Sequence, residues 1–438
     1  MVLATLRLRK RLRAKRQQRA NAQVEEQTEE GLRKRQMKMI KDPMTAEAVV
    51  GSSALRPPPV ASSRKTNSGK SKTLNVEQLR EERKKAIDAL LIITKTSFGT
   101  WYDRWQKEVG GIEPTPDMCR VGMAEENRRK CREQLDGMCI DSSRVLFPSD
   151  KTLFIEANWA NVERTIICAS APTGTGIPDR SDTRAEFYLM ITSLGINNIV
   201  MVCQVAELAA ESNPDFADLS YFPYRLQNQI LKLEDGRSFH VSRQKSEHSE
   251  VGVERSVLTI LAHDANGAET ETYKVNHYYI GCWAEDALCS VKSGVCSVVH
   301  ELVAKNAGKT LVHSWLGQGR AGCFALMMMI VRQAMSGIPP DPIGLAIQLR
   351  KNRYKAILSP WQFTFALECA METLLKYTSR SLVPLPQDLF RYVREYSEPL
   401  LKHYGDGLQA KDSKKEGGAE QKKEVEKKEP ENKEPQKK

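Results

Sequence analysis

The residues best suited to chemistry lie in one stretch, Leu311 to Met335, which reads LVHSWLGQGRAGCFALMMMIVRQAM. An apolar run leads into a glycine-rich turn, and a long apolar helix pattern follows the turn. Backbone N–H groups of such a turn, together with the N-terminus of the next helix, favour binding of an anion. The stretch therefore predicts a site for an anionic group, with Met327–Met329 serving as helix core and no cofactor box.

The glycines of the turn, Gly317, Gly319 and Gly322, also fit the GxGxxG pattern of dinucleotide-binding folds. Such a fold needs an acidic residue at the end of a second strand about 20 residues later. Asp341 stands at that distance, but it lies in GIPPDPIG, where the prolines exclude a strand end. A phosphate cradle that begins at His313 is the favoured alternative, and no cofactor is expected.

The elements around the turn can be predicted from their patterns. A helix should begin near Leu74, because NVEQLREERKKAIDALLIITKT has an Asn cap, a Gln three residues later and apolar positions at helical spacing. TLFIEANWANV, RTIICAS and NNIVMVCQVAE predict strands, and RSVLTILAHDANGAETETYKVNHYYIG predicts a hairpin around Asn-Gly. Further helices are expected over 290–306, 320–336, 341–357, 360–377 and 386–402. This succession indicates a single α/β or α+β domain.

Charge is distributed unevenly along the 438 residues, whose net charge is +11. Residues 1–75 hold 18 basic and 6 acidic side chains, and residues 411–438 hold 10 Lys and 8 acidic side chains, which leaves 76–410 at −3. We therefore expect a disordered basic arm and linker over 1–75, a folded domain over 76–410 and a disordered Lys/Glu-rich tail over 411–438.

The arm begins MVLATLRLRKRLRAKRQQRA. It is either a solvated tail, a nuclear address, a transit peptide, or a patch at Arg7–Arg19 that binds nucleic acid or acidic lipid.

The ten cysteines include no CxxC pair, so no metal site is expected. No apolar run reaches about 18 residues, which argues against a transmembrane segment. A reduced intracellular compartment, cytoplasmic or nuclear, is the simplest expectation.

The turn resembles the signature of the classical protein tyrosine phosphatases, His-Cys-x-x-Gly-x-Gly-Arg-(Ser/Thr)-Gly, which reads HSWLGQGRAG over 313–322 here. Other family motifs recur in order over roughly 86–405. They include CIDSSRVLF, FIEANW, IICASAPTGT, EFYLMI, NNIVMVCQVAE, YFP, HYYIGCWAED and LRKNRYKAILSPWQFTF. The chain is most similar to a divergent branch that is numerous in nematodes. The resemblance implies an α/β (α+β) fold with a central twisted mixed sheet flanked by helices.

The resemblance also implies a chemistry. In this family a cysteine thiolate attacks phosphotyrosine, an arginine and the loop N–H groups bind the phosphate, and an aspartic acid protonates the leaving phenol. The loop's field lowers the cysteine pKa, and the arginine forks two bonds to phosphate. Glutamines then orient a water that hydrolyses the phosphocysteine.

At the reactive positions this chain departs from the family. Ser314 replaces the nucleophile, and an alcohol stays protonated at neutral pH even after a shift of about 5 pKa units. His313 should be a structural hydrogen-bonder and not a base, and Cys323 should be packed in the helix. In the loop of the general acid, Glu285 replaces the aspartic acid and Ala284 replaces the proline before it. Ala321 replaces the hydroxyl residue that assists the leaving thiolate, and Leu358 replaces the first water-positioning glutamine, whereas the second is kept as Gln362. Arg129 replaces the tyrosine that stacks on the substrate ring.

The binding positions persist. The resemblance assigns phosphate or anion binding to Ser314, Gly317, Gly319, Arg320 and Gly322. Two roles are open for Arg320: an anion ligand, or a structural partner of a carboxylate such as Glu207. Trp315 and Leu316 replace smaller residues and should pack beneath the loop.

We expect a catalytically inactive phosphatase-like protein that binds phosphorylated or acidic protein segments as a scaffold in signalling. One alternative is a weak or atypical protein tyrosine phosphatase. The other is a scaffold whose basic arm, Arg7–Arg19, binds nucleic acid or acidic lipid.

Overall fold

The sheet and the helices are those of a computed structural model of the chain. It describes residues 76–132, 138–174, 180–209, 221–223, 228–245, 252–283 and 294–378, with 395, 396, 398, 399 and 402. The chain divides into two units, Met1–Ser71 and Lys72–Lys438, and every described residue lies in the second. The basic arm and Glu285 lie outside the described residues, as do positions 386–394 of the helix expected over 386–402.

Eight strands form one mixed sheet in the order β1-β2-β8-β3-β7-β6-β5-β4. Their bounds are β1 Ala157–Trp159, β2 Ile166–Ser170, β3 Ile196–Met201, β4 Asn228–Lys232, β5 Ser238–Lys245, β6 Val253–His263, β7 Glu269–Ile280 and β8 Lys309–Ser314. The four central strands, β2, β8, β3 and β7, run parallel, and the outer pairs are antiparallel. This is the mixed sheet expected from the sequence.

The α-helices of the described residues flank this sheet. Their bounds are α1 Val76–Thr94, α2 Phe98–Glu108, α3 Arg120–Met123, α4 Glu125–Arg128, α5 Arg184–Leu194, α6 Val205–Ala209, α7 Gly294–Lys305, α8 Gly319–Met335, α9 Pro342–Asn352 and α10 Pro360–Thr378. None of them is long and apolar enough to cross a lipid bilayer. The sequence patterns predicted α1, α8 and α10 closely and missed α2.

The core lies in two layers, one on each side of the sheet. On β8, Val312 packs with the helical layer of α1, α7, α8 and α10, whereas Leu311 packs on the opposite side with α5. This alternation follows from the period of two in a strand. Because β8 is covered on both faces, every residue from Thr310 to Ser314 is buried, and the two central positions are the apolar Leu311 and Val312.

Helix α8 is buried on nearly all sides, and Met327, Met328 and Met329 are among its core residues. A helix that is hydrophobic all round belongs in the interior. Cys323, one turn into this helix, is also buried, as expected for a packed side chain. The first turn of α8 is therefore held firmly, and it carries Gly319 and Arg320 into the site.

The hairpin expected around Asn-Gly is confirmed. Strands β6 and β7 pair antiparallel, and Gly267 adopts a φ of +82° in the connecting turn. Asp264 closes the turn by accepting hydrogen bonds from the N–H groups of Asn266 and Ala268 through Oδ1, both at 2.9 Å. The Asp264 side chain thus sets the turn by local hydrogen bonds to the backbone, in addition to the glycine.

The helix predicted over 341–357 ends earlier, at Asn352. Arg353 is extended, and Lys355 and Ile357 have φ values of +51° and +64°. A β-branched residue such as Ile rarely adopts this left-handed region, so neither turn position could be predicted from residue preferences. The segment after α9 is folded back against the first turn of α8, where the backbone of Ile357 faces Gly322.

Candidate anion-binding site

The site is built where β8 ends and α8 begins. Ser314 is the last residue of β8, which lies between β2 and β3 with all three strands parallel. Helix α8 starts at Gly319, so four residues, 315–318, form the loop. Loops at the carboxyl ends of central parallel strands are the usual position of ligand sites in open α/β sheets.

Every carbonyl from Ser314 to Gly317 is bound on the inner side of the loop. The N–H of Ala171 donates to Ser314 O at 2.9 Å and to Trp315 O at 3.1 Å. The buried guanidinium of Arg353 donates to Leu316 O at 2.7 Å and to Gly317 O at 3.2 Å. Because each peptide unit is planar and trans, its N–H points away from its carbonyl. The N–H groups of the next four residues therefore face the opposite side.

These N–H groups form a nest of donors. The Gly317 N–H donates to Ser314 Oγ at 3.1 Å. Among the described residues, the N–H groups of Trp315, Leu316, Gln318 and Gly319 have no hydrogen-bond partner. The α8 N-terminus adds its dipole. A concave row of backbone donors of this kind suits an oxyanion.

Glycine is required at two positions of the loop by different physical demands. Gly317 has a φ of +65°, and a Cβ there would lie 2.1 Å from Ala169 O. Gly322 allows close approach, since its Cβ would lie 2.7 Å from Ile357 N. Both glycines therefore fix the shape of the loop, independently of any contact with a ligand.

Arg320 is paired with a carboxylate. Its Nη1 donates to Glu207 Oε1 at 2.8 Å and its Nη2 to Glu207 Oε2 at 2.5 Å. Nη1 also donates to Trp283 O at 2.7 Å, and the Arg320 side chain is only 4% exposed. Of the two roles open for Arg320, the structure shows the pairing with Glu207. This bidentate pair fixes the guanidinium beside the loop.

Ser314 lies where the resemblance places the nucleophile, and none of the described residues directs a basic side chain at its hydroxyl. The residue is 3% exposed, and its Oγ accepts from the loop. His313 Nε2 instead bonds with Tyr221 Oη at 2.8 Å, and Tyr221 Oη bonds with His277 Nε2 at 2.6 Å. Burial, and after it the positive charge of Arg132, lowers the pKa of His313 to about 3. His313 is thus a neutral structural side chain, as expected.

Leu358 and Gln362, at the two positions where the resemblance implies water-positioning glutamines, lie over the start of α8. A Cβ on Gly319 would lie 2.7 Å from Gln362 Nε2 and 3.1 Å from Leu358 Cδ1. Gln362 Oε1 accepts from the Leu358 N–H at 2.7 Å, and the Leu358 side chain is 50% exposed. Ala321 is fully buried in α8. The mouth of the loop is therefore bordered by one amide and one apolar side chain.

The expected recognition residue, Arg129, is exposed, and its carbonyl accepts from the Ser181 N–H at 2.8 Å. Three residues later, Arg132 is buried and stacks on Trp315 with its Cζ 4.0 Å from the ring centroid. Trp315 packs on the core beneath the loop, as expected. The sequence analysis missed Arg132, because nothing in the run NRRKCR marks one arginine as buried.

Among the described residues, no group of three or more His, Cys, Asp or Glu side chains is arranged to hold a metal ion. The donors that do converge are backbone N–H groups, with Arg320 beside them. Those donors suit a ligand of negative charge with several acceptor oxygens.

Comparisons with known proteins agree with this architecture. A structure of the Trypanosoma cruzi protein tyrosine phosphatase TcPTP1 has a TM-score of 0.51 and 17% identity, and it covers 67% of this chain and 98% of that one. Human tyrosine-protein phosphatase non-receptor type 23 is 26% identical over 259 residues, 57% of this chain and 15% of the relative. Tyrosine phosphatase H2 of Microplitis demolitor bracovirus is 22% identical over 56% of this chain and 74% of the relative.

The chain spans only a small part of the human relative, so that relative's whole activity does not carry over. The family model for protein-tyrosine phosphatase, however, matches residues 127–372, more than half of the chain, and includes the whole loop. The chain belongs to the protein-tyrosine phosphatase family.

Proposed function

We propose that this chain is a catalytically inactive member of its family that binds phosphorylated or acidic protein segments at the loop from Ser314 to Gly322. The observation that carries the proposal is the division within the loop. The N–H groups that would bind an anion are held in place through their carbonyls, whereas the nucleophile position carries a hydroxyl for which the described residues supply no base. By binding a phosphorylated segment without hydrolysing it, the protein would shield the phosphosite or tether the protein that carries it.

The chemistry of Ser314 supports the absence of turnover. Its hydroxyl is buried and already accepts the Gly317 N–H, which would have to be replaced as the oxygen attacked phosphorus. In the part of the chain that the structure describes, no base is placed to take the proton, since His313 is neutral and bound to Tyr221. Activation of a serine normally requires such a base within hydrogen-bond reach.

The pairing of Arg320 bears on how an anion would be held. Glu207 places a negative charge against the guanidinium, so the arginine contributes less net attraction than an unpaired one would. Most of the binding would then come from the row of N–H groups and the α8 N-terminus. We infer that the site favours a compact oxyanion such as a phosphate monoester, for which backbone donors at fixed positions are suited.

The preferred class of phosphorylated ligand depends on the side chain at position 129, beside the loop. Arg129 is exposed on the segment that carries Arg132 to Trp315, where the resemblance places a stacking tyrosine. A guanidinium there suits an acidic neighbour or a phosphoserine or phosphothreonine more than a deeply inserted phosphotyrosine ring. We therefore include all three phosphoresidues and an acidic segment among the ligands to be compared.

The test uses the full chain and calorimetry. Vanadate and three peptides that differ only in phosphotyrosine, phosphoserine or phosphothreonine are titrated, with the unphosphorylated peptide as control. We expect binding of vanadate and of at least one phosphopeptide, and no hydrolysis of p-nitrophenyl phosphate above the level of Arg320→Ala. Turnover that Ser314→Ala abolishes would instead establish a weak phosphatase.

Partner capture extends the test to proteins. Lysates with and without prior phosphatase treatment are passed over the parental chain and over Arg320→Ala. We expect partners that depend both on phosphate and on Arg320. Identical partners in all four conditions would place binding on another face or in the segments outside the loop.

A further inference from the structure

Arg132 is a buried arginine outside the predicted site. It is 3% exposed, whereas Arg128 and Arg129 in the same basic run are exposed. Its guanidinium lies over the Trp315 ring at 4.0 Å from the centroid. Burial of an arginine needs specific partners, because an uncompensated buried charge is strongly unfavourable. Its contacts therefore point to a defined role next to Ser314.

Its hydrogen bonds connect it to the inner side of the loop. Arg132 Nε donates to Ala171 O at 2.6 Å, and Nη2 donates to Pro172 O at 2.8 Å. Ala171 in turn donates its N–H to Ser314 O and Trp315 O. The residue that binds two loop carbonyls is thus itself held by Arg132. The same guanidinium covers the side chain of Trp315. Arg132 therefore holds the loop both through Ala171 and through the Trp315 ring.

We propose that Arg132 is a positioning residue of the anion site, which holds Ala171 and Trp315 so that the N–H groups of Trp315 and Leu316 face the ligand. This inference rests on the proposed binding function. Arg132 does not touch the anion in this arrangement. It acts through the Ser314 and Trp315 carbonyls, whose peptide units carry those two N–H groups.

The division of labour between two arginines supports the role. Arg353 binds the carbonyls of Leu316 and Gly317. The same two peptide units carry the N–H groups of Gly317 and Gln318, so Arg353 orients these donors. Arg132, through Ala171, controls the two preceding carbonyls. Together the two side chains account for the N–H groups from Trp315 to Gln318, whereas the Gly319 N–H belongs to the first turn of α8, where Gln318 O accepts from the Gly322 N–H at 2.7 Å. Loss of Arg132 would leave the first half of the row able to rotate and the second half fixed.

The experiment measures vanadate affinity of the full chain by calorimetry. Arg132→Met keeps an unbranched apolar stem and removes both hydrogen bonds and the stacking charge. We expect at least about tenfold weaker binding, since two charge-assisted bonds that orient donors are lost. Arg132→Lys, which retains one charge and a single point donor, should recover part of the affinity. Arg104→Met is the matched control, because Arg104 also stacks on a tryptophan, Trp101, at 5.3 Å but on exposed α2.

A second readout separates positioning from general stability. Amide resonances of Trp315 and Leu316 in the ligand-free protein should shift and exchange faster in Arg132→Met, while those of Gln318 stay near their parental values. A general loss of stability would affect all three alike. Trp315→Leu should remove the stacking partner, and in combination with Arg132→Met it should weaken vanadate binding by less than the product of the single effects.

The outcomes are distinguishable. If the parental chain does not bind vanadate, the proposed function is wrong, and the amide resonances alone decide the role of Arg132. If the parental chain binds and Arg132→Met binds within about twofold, with Trp315 and Leu316 amides unchanged, the positioning role is wrong. If Arg132→Met does not fold, Arg132→Lys and Trp315→Leu supply the same comparison.

Discussion

The inner side and the mouth of the loop differ in how completely their polar groups are satisfied. On the inner side, all four carbonyls from Ser314 to Gly317 are bound, two by Ala171 and two by Arg353. At the mouth, several N–H groups have no partner among the described residues, and Leu358 is half exposed. Buried polar groups are normally paired, so a row of unpaired donors indicates a place for a ligand. The proposed anion site therefore depends on a rigid inner side that leaves the donors at the mouth available.

The largest expected effect concerns the inner side. Arg353 is 1% exposed and also bonds Asn158 Oδ1 at 2.9 Å and Glu156 Oε1 at 3.3 Å. Arg353→Met would leave Glu156 and two loop carbonyls with fewer partners. We expect it to lower the free energy of unfolding by about 3–5 kcal/mol, measured by urea denaturation. Arg237→Met, at a partly exposed side chain that pairs with its near neighbour Asp235, should stay within about 1 kcal/mol. A loss below about 1 kcal/mol for Arg353→Met would show that the inner side tolerates unpaired carbonyls.

Acid should act on the same side of the loop. Burial lowers the pKa of His313 to about 3 and that of His277 well below its usual value. The unfolded chain binds protons on these residues below about pH 6.5, whereas the folded chain does not. Stability is therefore fully present above pH 6.5 and is lost progressively as pH falls towards 3. Unfolding free energies between pH 7 and 4 test this, and a flat profile would contradict it. Burial, and after it His263, also lowers the pKa of His240 on β5, so His240→Gln should remove only a small part of the slope.

At the boundary between the two sides, changes to the ion pair should shift anion affinity in opposite directions. Arg320→Ala removes a charged donor and should weaken vanadate or partner binding at least about tenfold. Glu207→Gln keeps the shape and removes the negative charge that faces Arg320, so it should strengthen binding severalfold. Calorimetry on both variants measures this. Equal affinities in all three proteins would show that the N–H groups alone hold the anion.

Ser314→Cys should restore a thiolate but not turnover. The backbone N–H groups of the loop and the N-terminus of α8 favour a thiolate at this position. Transfer of one phosphoryl group to sulfur can therefore occur once per molecule. Ala321 and Leu358 still hinder the hydrolysis of the phosphocysteine. We expect a burst of p-nitrophenol of at most one equivalent, followed by a slow steady state. Rapid-mixing absorbance measures the burst, and full steady-state activity of this single variant would show that the other substitutions matter little.

The smallest effect is expected at the mouth. Leu358 is half exposed, so Leu358→Gln should change the unfolding free energy by no more than about 0.5 kcal/mol and vanadate affinity by less than about twofold. Combined with Ser314→Cys, however, it should raise the steady-state rate after the burst, because a second amide can then orient water. An unchanged rate in the double variant would assign the hydrolytic defect to Ala321 or to the acid position.

Sequence patterns predicted the strand, turn and helix around Ser314, and the ordered motifs predicted the fold. These features depend on local periodicity and on residue types at fixed spacing. The pairing of Arg320 with Glu207 was one of two roles left open, since the sequence places these residues 113 positions apart. Arg132 was missed because its burial depends on Ala171, 39 positions away. The early end of α9 was missed because Ile357 adopts a backbone conformation that its side chain disfavours.

Ser314 also has a consequence for oxidation. A reactive thiolate in a phosphate loop is readily oxidised by peroxide, whereas a serine hydroxyl is not. Among the cysteines that the structure describes, burial raises the pKa of Cys119 to about 11 and the pKa values of Cys139 and Cys168 to about 12, which keeps these thiols protonated and unreactive. An anion site with serine at the nucleophile position, as proposed for this loop, would therefore stay intact at peroxide levels that inactivate a thiolate enzyme. Its occupancy would then report phosphorylation and not the redox state of the cell.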